Sequence, residues 1–310
     1  MPVPRLTRRT LRTLLGSMPE APAPAPRVLE QVDPGGIVRQ KVTYVVAPRE
    51  RVSAYLFLPA GGTRMPAVLC LHQHHHEYHL GKSEPAGVAG DHGQANALEL
   101  AQRGYVTLAP DMLGFEERQH ASLPGPLFER FEAMRQLSEG SCLQAKYLSD
   151  LQRALDYLVA RPEVDPARIG CIGHSLGGQE TLFLAALDRR VSVGVSSCGF
   201  SSYPAIFRRQ VNHNFALYVP GLGRQGGFGA VLALVAPRPF LALAGRDDPL
   251  FPIQGVRQTV HAAQRANASA GWPLRLQAFP TGHSFSRAMR MAAYAWLDRW
   301  LKLETVQHGS

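Results

Sequence analysis

Cysteine is scarce in this sequence, with four residues among 310, too few for the dense disulfide framework of a small secreted domain. Gly, Pro, Arg or His interrupts every apolar stretch well before about 18 residues, so no segment is predicted to cross a bilayer. Charged residues make up 18% of the chain and hydrophobic residues 45%, which excludes wholesale disorder. A chain of this length buries enough apolar surface to fold without disulfide bonds.

Two kinds of targeting or binding signal are also missing. The first 18 residues contain leucines and arginines but no continuous apolar segment followed by a small-residue cleavage site, so no export signal is expected. The net charge is +9, but the arginines are spread along the chain and match no nucleic-acid-binding module. We therefore expect a cytoplasmic protein with free thiols that binds neither nucleic acid nor a membrane. The sequence leaves its oligomeric state open, a homo-oligomer included.

Three segments of different composition divide the chain. Residues 1–39 predict a short helical arm followed by a proline-rich linker. Residues 40–303 alternate strand and helix patterns, and residues 304–310 form a polar tail. Within the central segment, insertions at about 115–144 and 199–236 interrupt the alternation. Each insertion begins directly after a predicted strand.

The strand and helix patterns predict the fold class. Residues 40–46 and 52–58 alternate apolar and polar side chains around a short turn, which indicates an antiparallel hairpin. Continuous apolar runs such as Ala67–Leu71 are typical of strands covered on both faces. Repeated strand–helix–strand units favour parallel pairing with right-handed crossovers. We therefore predict an α/β domain with a mostly parallel central sheet, an antiparallel N-terminal hairpin and helices on both faces.

In such a sheet, functional residues follow the carboxyl ends of the strands. The segment Gly173–Gly177 has the pattern Gly-x-Ser-x-Gly between a predicted strand and the predicted helix Leu176–Leu187. A serine on so tight a turn needs neighbours without side chains, and the turn presents its hydroxyl at the positive end of the helix. Ser175 is therefore the candidate nucleophile, and the N–H of Leu176 points to where an oxyanion would form.

Two further segments carry the partners that a serine nucleophile needs. Asp247 and Asp248 follow the predicted strand Phe240–Gly245, and His283 follows the predicted strand Leu274–Phe279. The chain order Ser, Asp, His is the order expected for this kind of sheet. His283 is the expected base, and an aspartate would orient it. The spacing from the end of the strand favours Asp248, although the sequence does not settle the choice between the two aspartates.

These motifs resemble the α/β-hydrolase superfamily, within its dienelactone-hydrolase-like and acetyl-xylan-esterase-like group. The resemblance covers roughly residues 40–303 and implies an α/β-hydrolase fold with short lid insertions. It is specific for the fold and says little about the substrate. The segments that carry it are Leu71–His74, Gly104–Val106, Ala109–Asp111, Val164–Gly170, Gly173–Gly178, Ala236–Pro239 and Asp248–Pro252.

The resemblance also implies an oxyanion donor in the loop after the strand Ala67–Leu71. By position this donor is the backbone N–H of His74, paired with that of Leu176. Members usually carry a glycine where this chain has Gln73, so the loop departs from the family pattern. The dienelactone hydrolases proper use a cysteine nucleophile, and Ser175 in that place makes an esterase the better match.

The same loop holds a cluster of five histidines and one glutamate. Imidazoles at this density could bind zinc, but neighbouring loop residues have no fixed tetrahedral spacing and the predicted triad needs no metal. We predict no metal or other cofactor and assign the cluster to the wall of the pocket beside Ser175. The sequence alone does not exclude a metal at these residues: His72, His74, His75, His76, Glu77 and His79.

Taken together, the motifs predict a serine hydrolase that cleaves small carboxylic esters with short acyl groups, acetyl among them, through an acyl-enzyme. A peptidase or amide hydrolase would use the same three residues, but peptidases of this fold usually carry a large N-terminal module, and fewer than 40 residues precede the predicted sheet here. A non-catalytic binding protein on the same fold would typically lack one of the three residues. The natural substrate and the acyl-chain preference cannot be inferred from the sequence.

Overall fold

A nine-stranded sheet forms the centre of the computed structural model, which describes residues 6–18, 22–33, 35–268 and 271–302. The strand order is β1-β2-β3-β5-β4-β6-β7-β8-β9, and all pairs from β5 to β9 are parallel. Strands β1, β2 and β3 join one edge by antiparallel pairing. The strands are β1 (Arg27–Val32), β2 (Ile37–Ala47), β3 (Glu50–Pro59), β4 (Met65–Leu71), β5 (Val106–Pro110), β6 (Val164–His174), β7 (Val191–Ser197), β8 (Phe240–Gly245) and β9 (Leu274–Phe279).

Helices cover the two faces of this sheet, as predicted. Helices α2 and α9 are joined by an ion pair between Glu99 and Arg290 (3.0 Å), whereas α4 and α5 pack against each other and against β6. In the described part of the chain, no helix has the length and apolar character needed to span a bilayer. The helices are α1 (Arg8–Leu15), α2 (Asn96–Gln102), α3 (Gly125–Ser138), α4 (Leu143–Val159), α5 (Leu176–Leu187), α6 (Tyr203–Arg208), α7 (Gly227–Ala233), α8 (Ile253–Ala266) and α9 (Arg287–Leu301).

The sheet begins at Arg27 rather than near residue 40, which corrects its predicted start. Strand β1 lies in the segment assigned to the linker and pairs with β2. All six of its residues are exposed, so it lacks the alternation that identifies a half-buried strand. The predicted arm is present as α1. Of the predicted arm, linker and tail, residues 1–5, 19–21, 34 and 304–310 lie outside the described residues.

Helix α5, which follows the Gly-x-Ser-x-Gly turn, is buried along its whole length. It contains a fully buried carboxyl group, Glu180, which accepts hydrogen bonds from the side-chain amides of Gln144 (2.6 Å) and Gln179 (3.4 Å). Burial raises the pKa of Glu180 well above its usual value of 4.5, against the lowering effect of the two amides. Among the described residues, no lysine or arginine forms an ion pair with Glu180, whose two carboxylate oxygens accept from the glutamine amides. The folded state therefore favours the protonated carboxyl.

The burial of Glu180 predicts that this residue lowers the free energy of unfolding more strongly as the pH rises. Because its pKa is raised on folding, its stabilising contribution is complete below pH 4.5 and is lost as the pH rises toward the folded-state pKa. Glu180→Gln removes the titration. The unfolding free energy of Glu180→Gln minus that of the wild type should therefore increase by about 1.4 kcal/mol for each pH unit across that interval. Denaturant titrations from acidic to alkaline pH measure this difference, with the exposed Glu139→Gln as the control. A difference that does not change with pH would contradict the assignment.

Candidate active site

A strained turn after β6 places Ser175 at the carboxyl edge of the sheet. Ser175 has φ +55° and ψ −116°, a conformation that residues with a side chain rarely adopt. Its N–H donates a hydrogen bond to the carbonyl oxygen of Ser197 (2.8 Å), at the end of the neighbouring β7. A Cβ on Gly173 would lie 2.3 Å from the carbonyl carbon of Gly177. The turn therefore has no room for a side chain at Gly173.

The structure brings Ser175, His283 and Asp248 into one hydrogen-bonded chain. His283 Nε2 lies 2.9 Å from Ser175 Oγ, and His283 Nδ1 lies 2.9 Å from Asp248 Oδ2. The other carboxylate oxygen of Asp248 accepts hydrogen bonds from the N–H groups of Leu250 (2.8 Å) and Phe251 (3.0 Å). Burial tends to raise the pKa of Asp248, but its hydrogen bonds and the charge of His283 hold the pKa below the usual 3.8. Asp248 therefore stays ionised beside the imidazole.

Of the two neighbouring aspartates, Asp248 contacts the imidazole and Asp247 does not. Asp247 is exposed, and its backbone N–H donates to the carbonyl oxygen of Thr281 (3.1 Å) in the loop after β9. A Cβ on Gly245 would lie 2.2 Å from the carbonyl oxygen of Gly282. The two loops that carry the aspartates and the histidine are thus in direct backbone contact, and this contact turns the second aspartate inward.

Buried rings surround the imidazole of His283. The ring of His174 lies 4.8 Å from it and is stacked on Phe285 (5.8 Å). Phe251 packs 5.7 Å from the imidazole of His283. Burial lowers the pKa of His174 well below 6.5, so His174 packs as a neutral ring. Its Nδ1 lies 3.0 Å from Ser197 Oγ. His174 is the unspecified residue of the Gly-x-Ser-x-Gly pattern, and the motif gave no signal of this role.

The two predicted oxyanion donors lie in segments that touch at the start of α5. A Cβ on Gly177 would lie 2.2 Å from the carbonyl oxygen of Leu71 and 2.9 Å from that of His72. The chain leaving β4 therefore passes directly against the turn that carries Ser175. Among the described residues, neither the N–H of His74 nor that of Leu176 donates a hydrogen bond to another protein group. Both amides remain available to a ligand.

A cavity of about 750 Å³ lies beside His283, and the segment between β4 and α2 forms most of its wall. This segment, residues 72–95, is named the β4–α2 loop. Most lining residues are polar, and three members of the histidine cluster are among them: His75, Glu77 and His79. The other members, His72, His74 and His76, and Ser175 itself do not line this cavity, so the prediction that the cluster forms the wall of a pocket beside Ser175 is met only in part. In the described part of the chain, neither predicted insertion lines this cavity. The sequence did not predict this loop as an insertion, because a polar segment without periodicity does not indicate how it packs.

The first histidines of the β4–α2 loop are bound to neighbouring protein groups. His72 Nδ1 donates to the carbonyl oxygen of Gln73 (2.8 Å), and its Nε2 accepts from the N–H of Met112 (3.1 Å). Burial lowers the pKa of His72 to about 4, which keeps this ring neutral. His74 Nε2 donates to the carboxylate of Glu129 (2.8 Å) in α3. Both rings thus hold the start of the loop in place.

The middle of the β4–α2 loop is held by a buried ion cluster. Lys82 is completely buried and contacts Asp111 (2.9 Å) and Glu116 (2.5 Å), both just after β5. Burial lowers the pKa of Lys82, but the two carboxylates outweigh this effect and raise it. Glu116 also accepts hydrogen bonds from the N–H of Gly81 (3.0 Å) and the hydroxyl of Ser83 (2.6 Å). The loop is therefore attached to the sheet edge at several points.

One group of potential metal ligands occurs among the described residues, and it contains none of the clustered histidines. It consists of Cys198, Asp248 and His283, whose ligand atoms lie within 4.8 Å of one another. Burial raises the pKa of the Cys198 thiol to about 12, and a protonated thiol is a poor ligand. The other two side chains already bind each other. The donor set does not suit a cation.

Comparison with known sequences identifies the family. The profile of the dienelactone hydrolase family matches residues 52–216, and that of the prolyl oligopeptidase family matches residues 141–305. The chain is also 31% identical to "Putative hydrolase YtaP" of Bacillus subtilis (strain 168) over 301 residues, 95% of this chain and 98% of that relative. This chain belongs to the dienelactone hydrolase family. The predicted family resemblance is thus confirmed.

Solved structures similar to this dienelactone hydrolase family member have the same fold. A "putative acetyl xylan esterase" from Bacteroides fragilis superposes with a TM-score of 0.73 at 18% identity, covering 88% of this chain and 73% of that one. Acetyl xylan esterase 1 from Thermoanaerobacterium sp. JW/SL YS485 superposes with a TM-score of 0.64 at 19% identity, covering 95% and 99%. Together with the strand order, these similarities confirm the predicted α/β-hydrolase fold.

The close approach at the start of α5 predicts the effect of one substitution. In Gly177→Ala the new methyl group would meet the carbonyl oxygen of Leu71, which belongs to the sheet and cannot yield without moving β4. We expect a loss of about 1–3 kcal/mol in the free energy of unfolding, measured by denaturant titration. Gly61→Ala is the control, because its Cβ would meet only Met65 Sδ, at 3.4 Å. Equal stability of the two variants would show that β4 and α5 do not touch as described.

Proposed function

We propose that this protein is a serine ester hydrolase that works through an acyl-enzyme. The observation that carries the proposal is the hydrogen-bonded chain from Ser175 through His283 to Asp248 at the carboxyl edge of the sheet. A serine hydroxyl needs a base to become nucleophilic, and the base needs a group that fixes its tautomer. Ser175, His283 and Asp248 are joined by hydrogen bonds. Of the two adjacent aspartates, the one in this chain is the buried and ionised Asp248.

The proposed reaction has two steps that use the same histidine. In the first, Ser175 Oγ attacks the ester carbonyl carbon while His283 Nε2 takes its proton, and the tetrahedral intermediate collapses as the alcohol leaves with that proton. In the second, a water molecule attacks the acyl group on Ser175 and gives a proton to His283. The acid leaves, and the proton returns to Ser175. Asp248 holds Nδ1–H and stabilises the imidazolium in both steps.

The N–H groups of Leu176 and His74 are the proposed donors to the oxyanion. Neither amide is engaged by another described group, and their two segments meet at Gly177. The amide of Leu176 also lies at the N-terminus of α5, where the helix dipole favours negative charge. A donor aimed at the developing oxyanion contributes about 3 kcal/mol to transition-state stabilisation.

The polar cavity supports a small, hydrophilic ester. Histidine and carboxylate side chains in its wall beside His283 offer hydrogen-bonding partners for a polar alcohol group. The two structural relatives described above are named for action on acetylated xylan, and we propose an acetyl or other short acyl group for this protein as well. The proposed substrate is therefore a small molecule with a short acyl group on a polar alcohol.

Peptide hydrolysis is the competing candidate, and the profile match favours it in one respect. The prolyl oligopeptidase profile covers residues 141–305, which include Ser175, Asp248 and His283, whereas the dienelactone hydrolase profile ends at residue 216 and includes the serine alone. The same three residues can cleave an amide. The choice between the two reactions therefore rests on the substrate and needs a direct test.

The hydrogen-bonded chain predicts which substitutions abolish turnover. Ser175→Ala removes the nucleophile, and Asp248→Asn leaves His283 without an ionised partner. Each should lower kcat for p-nitrophenyl acetate by roughly 1,000-fold or more. Asp247→Asn is the matched control and should retain wild-type kcat, because Asp247 is exposed and does not contact the imidazole. Mass spectrometry after fluorophosphonate treatment should find the label on Ser175. Undiminished turnover by Ser175→Ala would refute the proposed mechanism.

An ester and an amide with the same acyl group separate the two reactions. A serine peptidase also cleaves an activated ester faster than the matching p-nitroanilide, so the deciding measurement is whether the anilide is cleaved above the rate of Ser175→Ala. We expect the ester to be cleaved and the anilide to stay at that background rate. Steady-state kinetics on acetylated xylose and on dipeptide anilides extends the comparison to unactivated substrates. Cleavage of the anilides above that background rate would favour the peptidase.

A further inference from the structure

Helix α3, in the first insertion, buries polar residues and exposes apolar ones. Leu127, Phe131, Met134 and Leu137 are each 44–54% exposed along one side, whereas Glu129 and Glu132 on the other side are buried. Burying a carboxylate is costly unless hydrogen bonds compensate it. Phe128 and Ala133 are buried on this side as well. The inward side of α3 therefore combines a small apolar contact with buried carboxylates that need hydrogen-bonding partners.

Glu129 makes three hydrogen bonds that join three separate segments. One carboxylate oxygen accepts from His74 Nε2 (2.8 Å) and from the hydroxyl of Tyr78 (2.5 Å), both in the β4–α2 loop. The other oxygen accepts from the N–H of Phe215 (2.9 Å), in the second insertion. Glu129 itself is 5% exposed. One buried carboxylate thus ties both insertions to the loop that leaves β4.

The direction of these bonds follows from the neighbouring groups. His74 Nδ1 accepts from the N–H of His76 (3.1 Å), so in the neutral ring the proton lies on Nε2 and is donated to Glu129. Burial tends to raise the pKa of Glu129, but the hydrogen bonds from His74, Tyr78 and the N–H of Phe215 hold the pKa below its usual value. An ionised carboxylate accepts on both oxygens, which matches the three donors that point at it.

Packing leaves the imidazole of His74 little freedom to turn. Phe115 lies 5.2 Å from it edge-on and is stacked on the ring of Tyr78 at 5.0 Å. The imidazole is therefore fixed by aromatic rings on its sides and by Glu129 at its tip. An anchored side chain limits how far the backbone at His74 can move.

We propose that Glu129 is a positioning residue for ester hydrolysis: by holding the side chains of His74 and Tyr78, it aims the backbone N–H of His74 at the oxyanion. This inference rests on the proposed function. Glu129 acts through His74 and is not a catalytic residue. The aromatic packing of Phe115 places the rings of His74 and Tyr78, and Glu129 supplies the hydrogen bonds that fix their polar ends.

A positioning role of this kind predicts a specific kinetic signature. An oxyanion donor binds the tetrahedral intermediate more strongly than the ground-state carbonyl, so misdirecting it lowers kcat while KM changes little. It also weakens binding of transition-state analogues, such as boronic acids, in proportion to the loss in kcat. A purely structural role would instead lower thermal stability and leave the active fraction of the enzyme with normal kinetics.

Glu129→Gln tests the proposal, with Glu132→Gln as the matched control. A glutamine at position 129 has one acceptor oxygen and cannot satisfy donors on both sides. Glu132 is a buried carboxylate in the same helix whose side chain pairs with Arg135. We expect Glu129→Gln to lower kcat for p-nitrophenyl acetate by about 10- to 100-fold with KM within about twofold of the wild type, and to weaken boronic-acid binding by a similar factor. Glu132→Gln should retain wild-type kcat and boronic-acid affinity.

The outcomes are distinguishable. Wild-type kcat and boronic-acid affinity in a folded Glu129→Gln variant would overturn the positioning role while leaving the proposed function intact. If Glu129→Gln melts at a much lower temperature than Glu132→Gln, Tyr78→Phe removes one of the donors and keeps the carboxylate. Tyr78→Phe should then show a fall in kcat at constant KM. If it does not, the positioning role of Glu129 is overturned. A wild-type protein that neither hydrolyses esters nor accepts a fluorophosphonate on Ser175 would refute both the proposed function and this inference.

Discussion

The contact between the end of β4 and the first turn of α5 is the constraint on which the site depends. Gly177 allows the carbonyl oxygen of Leu71 to approach more closely than any Cβ would permit, and this approach sets where the β4–α2 loop begins. The same turn forces Ser175 into its unusual backbone conformation. Nucleophile and loop are thus positioned by one tight junction of backbone, and the other side chains of the site are arranged around it.

Charge around this junction is balanced locally. Asp248 stays ionised beside His283, and His174 packs as a neutral ring. Lys82 faces three carboxylates in the segment after β5, those of Asp111, Glu116 and Glu117. A buried charge is tolerated only with a partner, and each partner here comes from a different segment. Ionic and hydrogen-bonded contacts therefore hold the loops in place, whereas apolar packing holds the sheet.

Strand β8 and helix α5 lie at their predicted residues because each is a buried apolar run with clear boundaries. Strand β9 lies at its predicted residues as well, although only its first residue is buried. Ser175, Asp248 and His283 could be found because each follows the carboxyl end of a strand, and parallel strands bring those ends together. Strand β1 could not be predicted, because an exposed edge strand lacks an alternating apolar and polar pattern. The role of Glu129 could not be predicted for another reason. Its contact with His74 joins residues 55 positions apart, and such a polar contact produces no periodic pattern in the sequence.

The outward apolar side of α3 has a consequence for the order of folding. Apolar burial gives little drive to dock a helix that buries Phe128 and Ala133 beside two glutamates and leaves its leucines in water. Such a helix docks only once its hydrogen-bonding partners are already in place, after the sheet has formed. Elements held in this way also detach at lower free energy than the core. Local detachment of α3 would leave the sheet and its serine intact, so activity can be lost in a molecule that is otherwise fully native.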